Sequence, residues 1–159
     1  MIVVDANVVI AFLLDTPLAT DARAIHARDA AWITPPLCQS EMLNALLQAT
    51  KAQKIALRDA LAAATTATRL LATRTDGCEP PAILTTAHEL GLTAYDATYV
   101  VLARSLGVLL VTEDRQILRA CPDVARSMKQ HLAPPEPPGA VRENRATYKT
   151  RAARKRVKE

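Results

Sequence analysis

Two short apolar segments, each followed by acidic residues, restrict the possible folds more than any other part of the chain. MIVVD at the start and VLLVTED near residue 110 are rich in β-branched residues, as expected of strands buried on both faces. AAWITPP, ended by two prolines, predicts a further strand. Because helical patterns separate these segments, the sequence predicts an α/β fold with three α/β/α layers around a central, mainly parallel sheet.

Helical patterns fill the chain between the predicted strands. They cover ANVVIAFLL, residues 18–28, a segment opened by Pro36, the Ala-rich run IALRDALAAATTATRLLATR, PAILTTAHELG and AYDATYVVLARSLG. The last two end at Gly91 and Gly107, where a left-handed cap is common. RQILRA predicts a short final helix, and the residues near Val124 predict a last strand.

Length and charge indicate one domain followed by a basic tail. The chain has 159 residues, which fits one domain of ordinary size plus an extension. Residues 1–133 hold 12 Lys and Arg against 13 Asp and Glu, whereas residues 134–159 hold 8 against 3. PPEPPG marks the boundary. We therefore expect a compact domain over 1–133 and a Pro-rich, then basic, disordered tail over 134–159.

Cysteine usage and hydropathy predict a cytoplasmic protein without membrane segments. The three cysteines, Cys38, Cys78 and Cys121, are odd in number and far apart, which is typical of neither a disulfide framework nor a paired-Cys zinc site. The apolar start lacks a basic n-region and is interrupted by Asp5 and Asn7, so no signal peptide is expected. ANVVIAFLL is too short for a bilayer span, which takes about 20 residues.

Four acidic residues each have a simple local explanation. Asp5 and Asp114 follow predicted strands and precede predicted helices, so either can act as an N-cap, worth roughly 1 kcal/mol. Asp96 lies at the start of the helix in AYDATYVVLARSLG, where capping also explains an acid. Glu41 lies on a helix face opposite the apolar arc, a position typical of a solvated side chain.

Taken together, the same acids predict a functional site. The carboxyl ends of parallel strands share one edge of a sheet, and ligands of α/β folds bind there. Asp5 and Asp114 reach that edge, and Asp96 leans toward the core side of its helix. Carboxylates about 4 Å apart repel each other by a few kcal/mol at an effective dielectric of about 20, so a cation is expected among them. Because no His or Cys stands at ligand spacing, the oxygen ligands favour Mg²⁺ or Mn²⁺.

Four segments in this order resemble the PIN-domain ribonucleases, and in particular the VapC-type toxins of toxin–antitoxin pairs. They are VVDANV, SEMLNAL, YDATYVVLA and LLVTEDRQIL, and they extend to about residue 130. The resemblance therefore implies a PIN-like fold and assigns site residues. These are the acidic quartet Asp5, Glu41, Asp96 and Asp114, the polar neighbours Asn7 and Thr112, and Glu113, an additional acid able to replace or assist Asp114.

The resemblance implies a metal-dependent endoribonuclease, the toxin of a type II toxin–antitoxin system, that hydrolyses RNA phosphodiester bonds with a metal-activated water. Asp5 and Asp96 would contact the ion directly, Asp114 would contact it directly or through water, and Glu41 would orient or deprotonate the attacking water. Two alternatives stay open. One is a PIN-like nuclease of RNA processing that is not a toxin, and the other is an inactive module that binds RNA or antitoxin.

Contacts with substrate and partners are expected outside the acidic quartet. Arg104, Arg115 and Arg119 lie on helices beside the acids and are candidates for RNA phosphate contacts. The basic tail would add salt-dependent affinity for RNA of any sequence. The resemblance further implies a cognate antitoxin and a homodimer, with both kinds of contact involving the helices of residues 37–71.

Motifs argue against two other enzyme classes. A haloacid-dehalogenase-like phosphatase also begins with a strand and an aspartate, but it needs a second acid two residues later, where this chain has Asn7. A P-loop nucleotide enzyme needs the pattern G-x-x-x-x-G-K, which the sequence lacks. The metal-dependent nuclease is therefore the favoured interpretation.

Overall fold

The computed structural model describes residues 1–134, and the rest of the predicted tail lies outside the described residues. Strands and helices alternate along the described part of the chain, as the sequence predicts. The strands are β1 (Ile2–Val4), β2 (Trp32–Thr34), β3 (Ala72–Thr73), β4 (Leu110–Val111) and β5 (Ala125–Arg126), and the helices are α1 (Ala6–Leu13), α2 (Ala19–Arg28), α3 (Leu37–Lys51), α4 (Leu57–Leu70), α5 (Pro80–Leu90), α6 (Ala94–Leu106), α7 (Arg115–Ala120) and α8 (Met128–Leu132).

The strands form one sheet with the order β3-β2-β1-β4-β5, and every pairing in it is parallel. The predicted α/β fold with a parallel central sheet is therefore confirmed. β1 lies in the middle, where Val3 pairs with Ile33 of β2 on one side and with Leu110 of β4 on the other. This order brings the ends of β1 and β4 side by side, and Asp5 N donates to Val111 O at 3.0 Å.

Helices cover both faces of the sheet. α1 packs on α2, α3 and α4, whereas α5 packs on α6, which also contacts β1 and β4. Parallel crossovers are right-handed, so the helices before β3 and those after it lie on opposite faces. The buried core between these layers is mostly aliphatic, with Val3, Val4, Leu102 and Leu110 at 0% exposure. None of the helices within residues 1–134 has the length and apolar character needed to cross a bilayer.

The only tryptophan, Trp32, anchors an aromatic cluster at the start of β2. Its ring centroid lies 5.3 Å from that of Phe12 and 5.2 Å from that of His26, and both pairs meet edge to face. Such offset contacts are the favoured geometry of aromatic pairs. Trp32 Nε1 is buried and, within residues 1–134, has no hydrogen-bond partner. The cluster thus links β2 to α1 and α2 by packing alone.

Two elements differ from the sequence expectations, and one short element is confirmed. The Ala-rich helix was expected to continue to Arg74, but α4 ends at Leu70 and Ala72–Thr73 forms the edge strand β3 beside β2. The last strand, predicted near Val124, is confirmed at Ala125–Arg126. α8 is an additional helix, closed at its start by the Ser127–Gln130 capping box. Each of these elements has five residues or fewer, so pairing and capping outweigh helical periodicity there.

Candidate active site

Asp5 lies at the carboxyl edge of the sheet, but it does not act as a helix cap. It occupies the N-cap position of α1, and its side chain makes no capping hydrogen bond. Instead Oδ2 accepts hydrogen bonds from Asn7 Nδ2 and from Thr112 Oγ1, each at 2.6 Å. The capping interpretation is therefore wrong for Asp5. Its carboxylate is directed toward β4, and it is 9% exposed.

Burial makes the charge of Asp5 costly. Burial raises the pKa of the Asp5 carboxyl above its ordinary value, the nearby Asp114 carboxylate adds to the rise, and the Thr112 hydrogen bond opposes it. Among residues 1–134, no Lys, Arg or His forms an ion pair with Asp5. A buried carboxyl with a raised pKa and no cationic partner is typical of functional sites rather than of structural ion pairs.

Asn7, Thr112 and Asp114 form one hydrogen-bonded unit that joins the end of β1 to the end of β4. Thr112, which is fully buried, accepts from Asp114 N at 2.9 Å while it donates to Asp5. Asn7 Oδ1 accepts from Glu113 N at 3.2 Å. The two predicted polar neighbours therefore hold the chain after β4 in place, and this positions Asp114 beside Asp5.

Asp114 does cap a helix, as local reasoning suggested. Its Oδ1 accepts from Gln116 N at 2.7 Å and from Ile117 N at 2.9 Å, at the start of α7. Both capping bonds use the same oxygen, so capping is compatible with a second contact through Oδ2. Glu113 is directed elsewhere, since its Oε1 accepts from Met128 N at 2.8 Å, at the start of α8. In this conformation Glu113 supports the α8 terminus, and Asp114 is the acid beside Asp5.

Glu41 lies half-buried, not on a solvated helix face. Tyr99 Oη donates to Glu41 Oε2 at 2.5 Å and ties α6 to α3. Burial raises the pKa of Glu41, the Tyr99 hydrogen bond opposes the rise, and the charges of Asp5 and Asp96 add to it. The solvated-face interpretation is therefore wrong, and Glu41 lies within electrostatic range of both aspartates.

Asp96 is held at the start of α6 by Thr93, the residue that caps this helix. Thr93 Oγ1 accepts from Asp96 N at 3.1 Å and donates to Asp96 Oδ2 at 2.7 Å. Asp96 is thus the acid of the first helical turn, and the capping role belongs to Thr93. A carboxylate in this position is also stabilised by the helix dipole.

Sequence reasoning missed three side chains of this site, Tyr99, Cys38 and Thr93. Cys38 is fully buried one helical turn before Glu41, and burial raises its thiol pKa to about 11, to which the charges of Asp5 and Glu41 add. Tyr99 lies on the apolar side of its helix in the sequence pattern, and only the contact across to α3 reveals its role. Thr93 carried a local signal, since a Thr three residues before an acid is a common helix start.

The donor set fits a hard divalent cation, although the side chains do not already surround one. Within residues 1–134, no three Asp, Glu, His or Cys side chains converge on one possible ion position. Each carboxylate instead has its own hydrogen-bond donors, such as Thr93 for Asp96 and Tyr99 for Glu41. The neighbouring acids offer oxygen ligands only, and Mg²⁺ and Mn²⁺ prefer these. Ion binding would therefore need rotation of side chains on a fixed backbone.

The three predicted phosphate-binding arginines occupy different surroundings. Arg104 is paired with Asp123 at 2.9 Å, eight residues from Asp96 along α6, which is about 12 Å of helix. Arg119 Nε donates to Arg115 O at 3.0 Å, and both residues are exposed on α7, directly after Asp114. Arg115 and Arg119 therefore follow Asp114 on an exposed helix, whereas Arg104 lies two turns along α6 from Asp96 and is paired with Asp123.

The fold and the site together define a class of protein. It is an all-parallel α/β domain with acidic side chains at the carboxyl edge of its sheet. The chain belongs to the PIN domain family, whose sequence model matches residues 2–121. PIN domains are typically nucleases, and those nucleases generally use divalent metals. The crystal structure of PAE2754 from Pyrobaculum aerophilum is similar to this fold, with a TM-score of 0.64 and 25% sequence identity over 80% of this chain and 90% of that chain. No curated protein matches the chain.

Proposed function

We propose that the protein is a metal-dependent endoribonuclease and the toxin of a type II toxin–antitoxin pair. The observation that carries the nuclease proposal is the buried Asp5 carboxylate, whose pKa is raised by burial and by the charge of Asp114. Glu41 joins the same group, since its pKa is raised by burial and further by Asp5 and Asp96. Two carboxyls whose pKa values are raised in part by neighbouring carboxylates favour cation binding at this edge. Membership in the PIN family supports the same conclusion.

The proposed ion ligands are Asp5 and Asp96, with Asp114 binding directly or through water. Mg²⁺ or Mn²⁺, when bound there, would activate water for attack on the phosphodiester bond and neutralise charge on the phosphate oxygens. Asn7 and Thr112 orient the Asp5 carboxylate through its Oδ2. Within residues 1–134, no side-chain donor occupies Asp5 Oδ1, so this oxygen is the proposed ligand atom.

Glu41 is the proposed general base. Tyr99 holds Oε2, which leaves Oε1 to accept a proton from the attacking water. A carboxyl whose pKa is raised by burial is a stronger base once ionised, so its environment suits proton abstraction near neutral pH. Asp96 and Asp5 place their charges close to this group, so a cation between them would lower the pKa of Glu41 and favour its ionised form.

RNA phosphates are the proposed partners of Arg115 and Arg119. Both are exposed on α7 directly after Asp114, and Arg119 lines a shallow groove with Leu90 and Gln116. Gln116 Nε2 donates to Gly91 O at 2.6 Å, which joins this groove to the loop before Asp96. Arg104 is a weaker candidate, because Asp123 already neutralises it. Glu113 supports the site indirectly by holding α8.

The toxin proposal rests on the resemblance of the four segments and on apolar side chains of α3 and α4 that are exposed within residues 1–134. α3 and α4 expose four leucines at helical spacing, which is consistent with burial against a cognate antitoxin or in a homodimer. We place the protein in the cytoplasm, where such pairs act on RNA. The exposed leucines of this surface are Leu43, Leu47, Leu57 and Leu61.

The nuclease proposal is tested with purified, antitoxin-free protein and structured RNAs in the presence of Mg²⁺ or EDTA. We expect cleavage with Mg²⁺, none with EDTA, and a decrease of roughly 100-fold or more for Asp5→Asn and Asp96→Asn. Asp15→Asn, which alters an exposed acid after α1, is the matched control and should cleave like the wild type. Equal cleavage by the Asp5 variant, or none by the wild type, would refute the proposal.

A separate experiment distinguishes the toxin from an RNA-processing nuclease or an inactive module. Induced expression in a host cell should arrest growth, and Asp5→Asn should relieve the arrest at equal protein levels. Co-expression of the neighbouring short reading frame, if it encodes an antitoxin, should also restore growth. Normal growth despite cleavage in vitro would favour RNA processing, and arrest by the Asp5 variant would point to binding alone.

A further inference from the structure

A cavity of about 100 Å³ lies next to the acidic edge, between the ends of β2 and β3 and the helix pair α3–α4. None of the residues predicted from the sequence to form the site lines it. Its walls combine an apolar floor with neutral polar side chains at the rim. The residues on which the argument depends are Thr34, Gln39, Met42, Ala67, Leu71 and Thr73.

The cavity adjoins the acids through both the sheet and α3. Val3 pairs with Ile33, and Asp5 and Pro35 each follow two residues later, so Asp5 and this cavity residue leave neighbouring strands at the same edge of the sheet. In α3, the cavity residues Gln39 and Met42 stand on either side of Glu41 in sequence. An RNA whose phosphate lies at the acids would therefore place an adjacent nucleotide next to the cavity.

The chemistry of the cavity suits a neutral, planar and polar group. Met42, Ala67 and Leu71 provide an apolar surface, whereas none of the residues that line the cavity is charged. Arg74, which follows Thr73, is occupied by Asp76 through two bonds of 2.7 Å. A phosphate would therefore find no free cation among the lining residues. Within residues 1–134, the exposed side-chain amide of Gln39 makes no hydrogen bond, so it can both donate to a ligand and accept from it.

Size points to a single ring. An apolar cavity of roughly 150 Å³ holds benzene, and one water needs only about 10–15 Å³. The present cavity of about 100 Å³ is smaller than that but partly open, so one edge of a ring can enter while the rest of the ring and its substituents remain outside. Unstacked RNA bases are commonly recognised in this manner, by an apolar face and by hydrogen bonds to the base edge.

We propose that this cavity binds one nucleobase of the RNA chain beside the bond that is cleaved, with Gln39 hydrogen-bonded to the edge of the base. The inference rests on the proposed ribonuclease function and extends it to a base-specific subsite. Gln39 supplies one donor and one acceptor side by side, which is the pattern that distinguishes bases. Thr73 adds an exposed hydroxyl group, and the buried Thr34 lines the cavity deeper inside.

Equilibrium binding of short RNAs that differ at one nucleotide tests the subsite without any need for catalysis. With EDTA present, the wild type should prefer one base at a single position. Gln39→Leu should reduce that preference roughly tenfold, as expected for the loss of a paired amide–base contact. Gln48→Leu, an exposed glutamine on the same helix outside the cavity, is the matched control and should keep the preference.

Thr73→Val provides a second variant at the exposed rim, where a folding defect is not expected, and it should also weaken the preference. A wild type without base preference, or an unchanged preference in Gln39→Leu, would overturn the subsite. A parallel Mg²⁺ reaction separates the two proposals. Cleavage by the variants with an unaltered base preference would refute the subsite alone. A base preference without any cleavage would refute the nuclease function alone.

Discussion

Asp5 keeps a carboxylate in a place where only 9% of the residue is exposed. Asn7 and Thr112 satisfy one of its oxygens, yet burial and the charge of Asp114 still raise its pKa. A protein selected for stability alone would not retain this charge. Functional sites commonly contain such destabilising groups, because the ligand that they bind compensates for them.

We predict that Asp5→Asn stabilises the metal-free protein. The folded-state pKa of Asp5 lies above its value of 3.8 in the unfolded chain, so the folded protein binds the proton more tightly and its stability falls as pH rises through that interval. Asparagine keeps an acceptor for Asn7 and Thr112 without the charge. At pH 7 we expect a higher Tm for Asp5→Asn than for the wild type, by a few degrees, and the difference should shrink as pH falls toward 3.8.

Thermal melts with and without Mg²⁺ provide the measurement and its control. The ion should raise the Tm of the wild type and of Asp15→Asn, because it binds only the folded state. It should leave the Tm of Asp5→Asn nearly unchanged. A lower Tm for Asp5→Asn at pH 7 in EDTA would show that the carboxylate contributes to stability, contrary to the pKa argument.

At the scale of elements, the site depends on contacts between helices that are distant in sequence. Tyr99 on α6 and Glu41 on α3 are 58 residues apart, and their hydrogen bond orients the proposed base. The strands contribute the other half, since β1 and β4 place Asp5 and Thr112 side by side. The helices thus position the proposed base and Asp96, and the ends of the strands position Asp5 and Asp114.

Tyr99→Phe tests the contact between α6 and α3. The Tyr99 hydrogen bond lowers the pKa of Glu41, so its removal should raise that pKa and move the acid limb of the pH–rate profile to higher pH. We also expect activity to fall tenfold or more, as is common when an orienting partner is removed. Tyr95→Phe, an exposed tyrosine on the same helix, is the control. An unshifted acid limb would remove Glu41 from the role of base.

The same elements show which features can be predicted from sequence. β1, β4 and the acids that follow them are encoded locally, as a β-branched run followed by turn-forming polar residues. β3 is not, because Ala72–Thr73 continues a helical pattern and becomes a strand only through its neighbour Ile33. Tyr99 was missed for the same reason, since an aromatic residue on an apolar arc gives no indication of a partner 58 residues away.

At the scale of the whole molecule, charge is divided between the two parts of the chain. Residues 1–133 carry one more acidic than basic residue, whereas residues 134–159 carry five more basic than acidic residues. A domain with an acidic edge attracts RNA poorly, so bound cations and the basic segment would have to supply most of the attraction. This division predicts separate control of affinity and catalysis.

Deletion of residues 134–159 should weaken RNA binding and flatten its salt dependence. For single-stranded RNA, the slope of log affinity against log salt should become shallower by roughly 0.7 for every phosphate that the basic segment neutralises in the full-length protein. Cleavage at saturating RNA should change little, because the acids lie in the domain. Filter-binding or anisotropy titrations at several salt concentrations provide the slope, and an unchanged slope would identify the segment as a spacer.

The aromatic cluster around Trp32 offers a built-in spectroscopic probe. Since the chain has one tryptophan, its fluorescence arises from a single position, the start of β2 beside α1 and α2. The indole is 1% exposed, so its emission should shift to longer wavelength when the sheet opens and water reaches the ring. Variants at the acidic edge can therefore be compared for folding without labels, and the segment beyond the domain adds no tryptophan signal of its own.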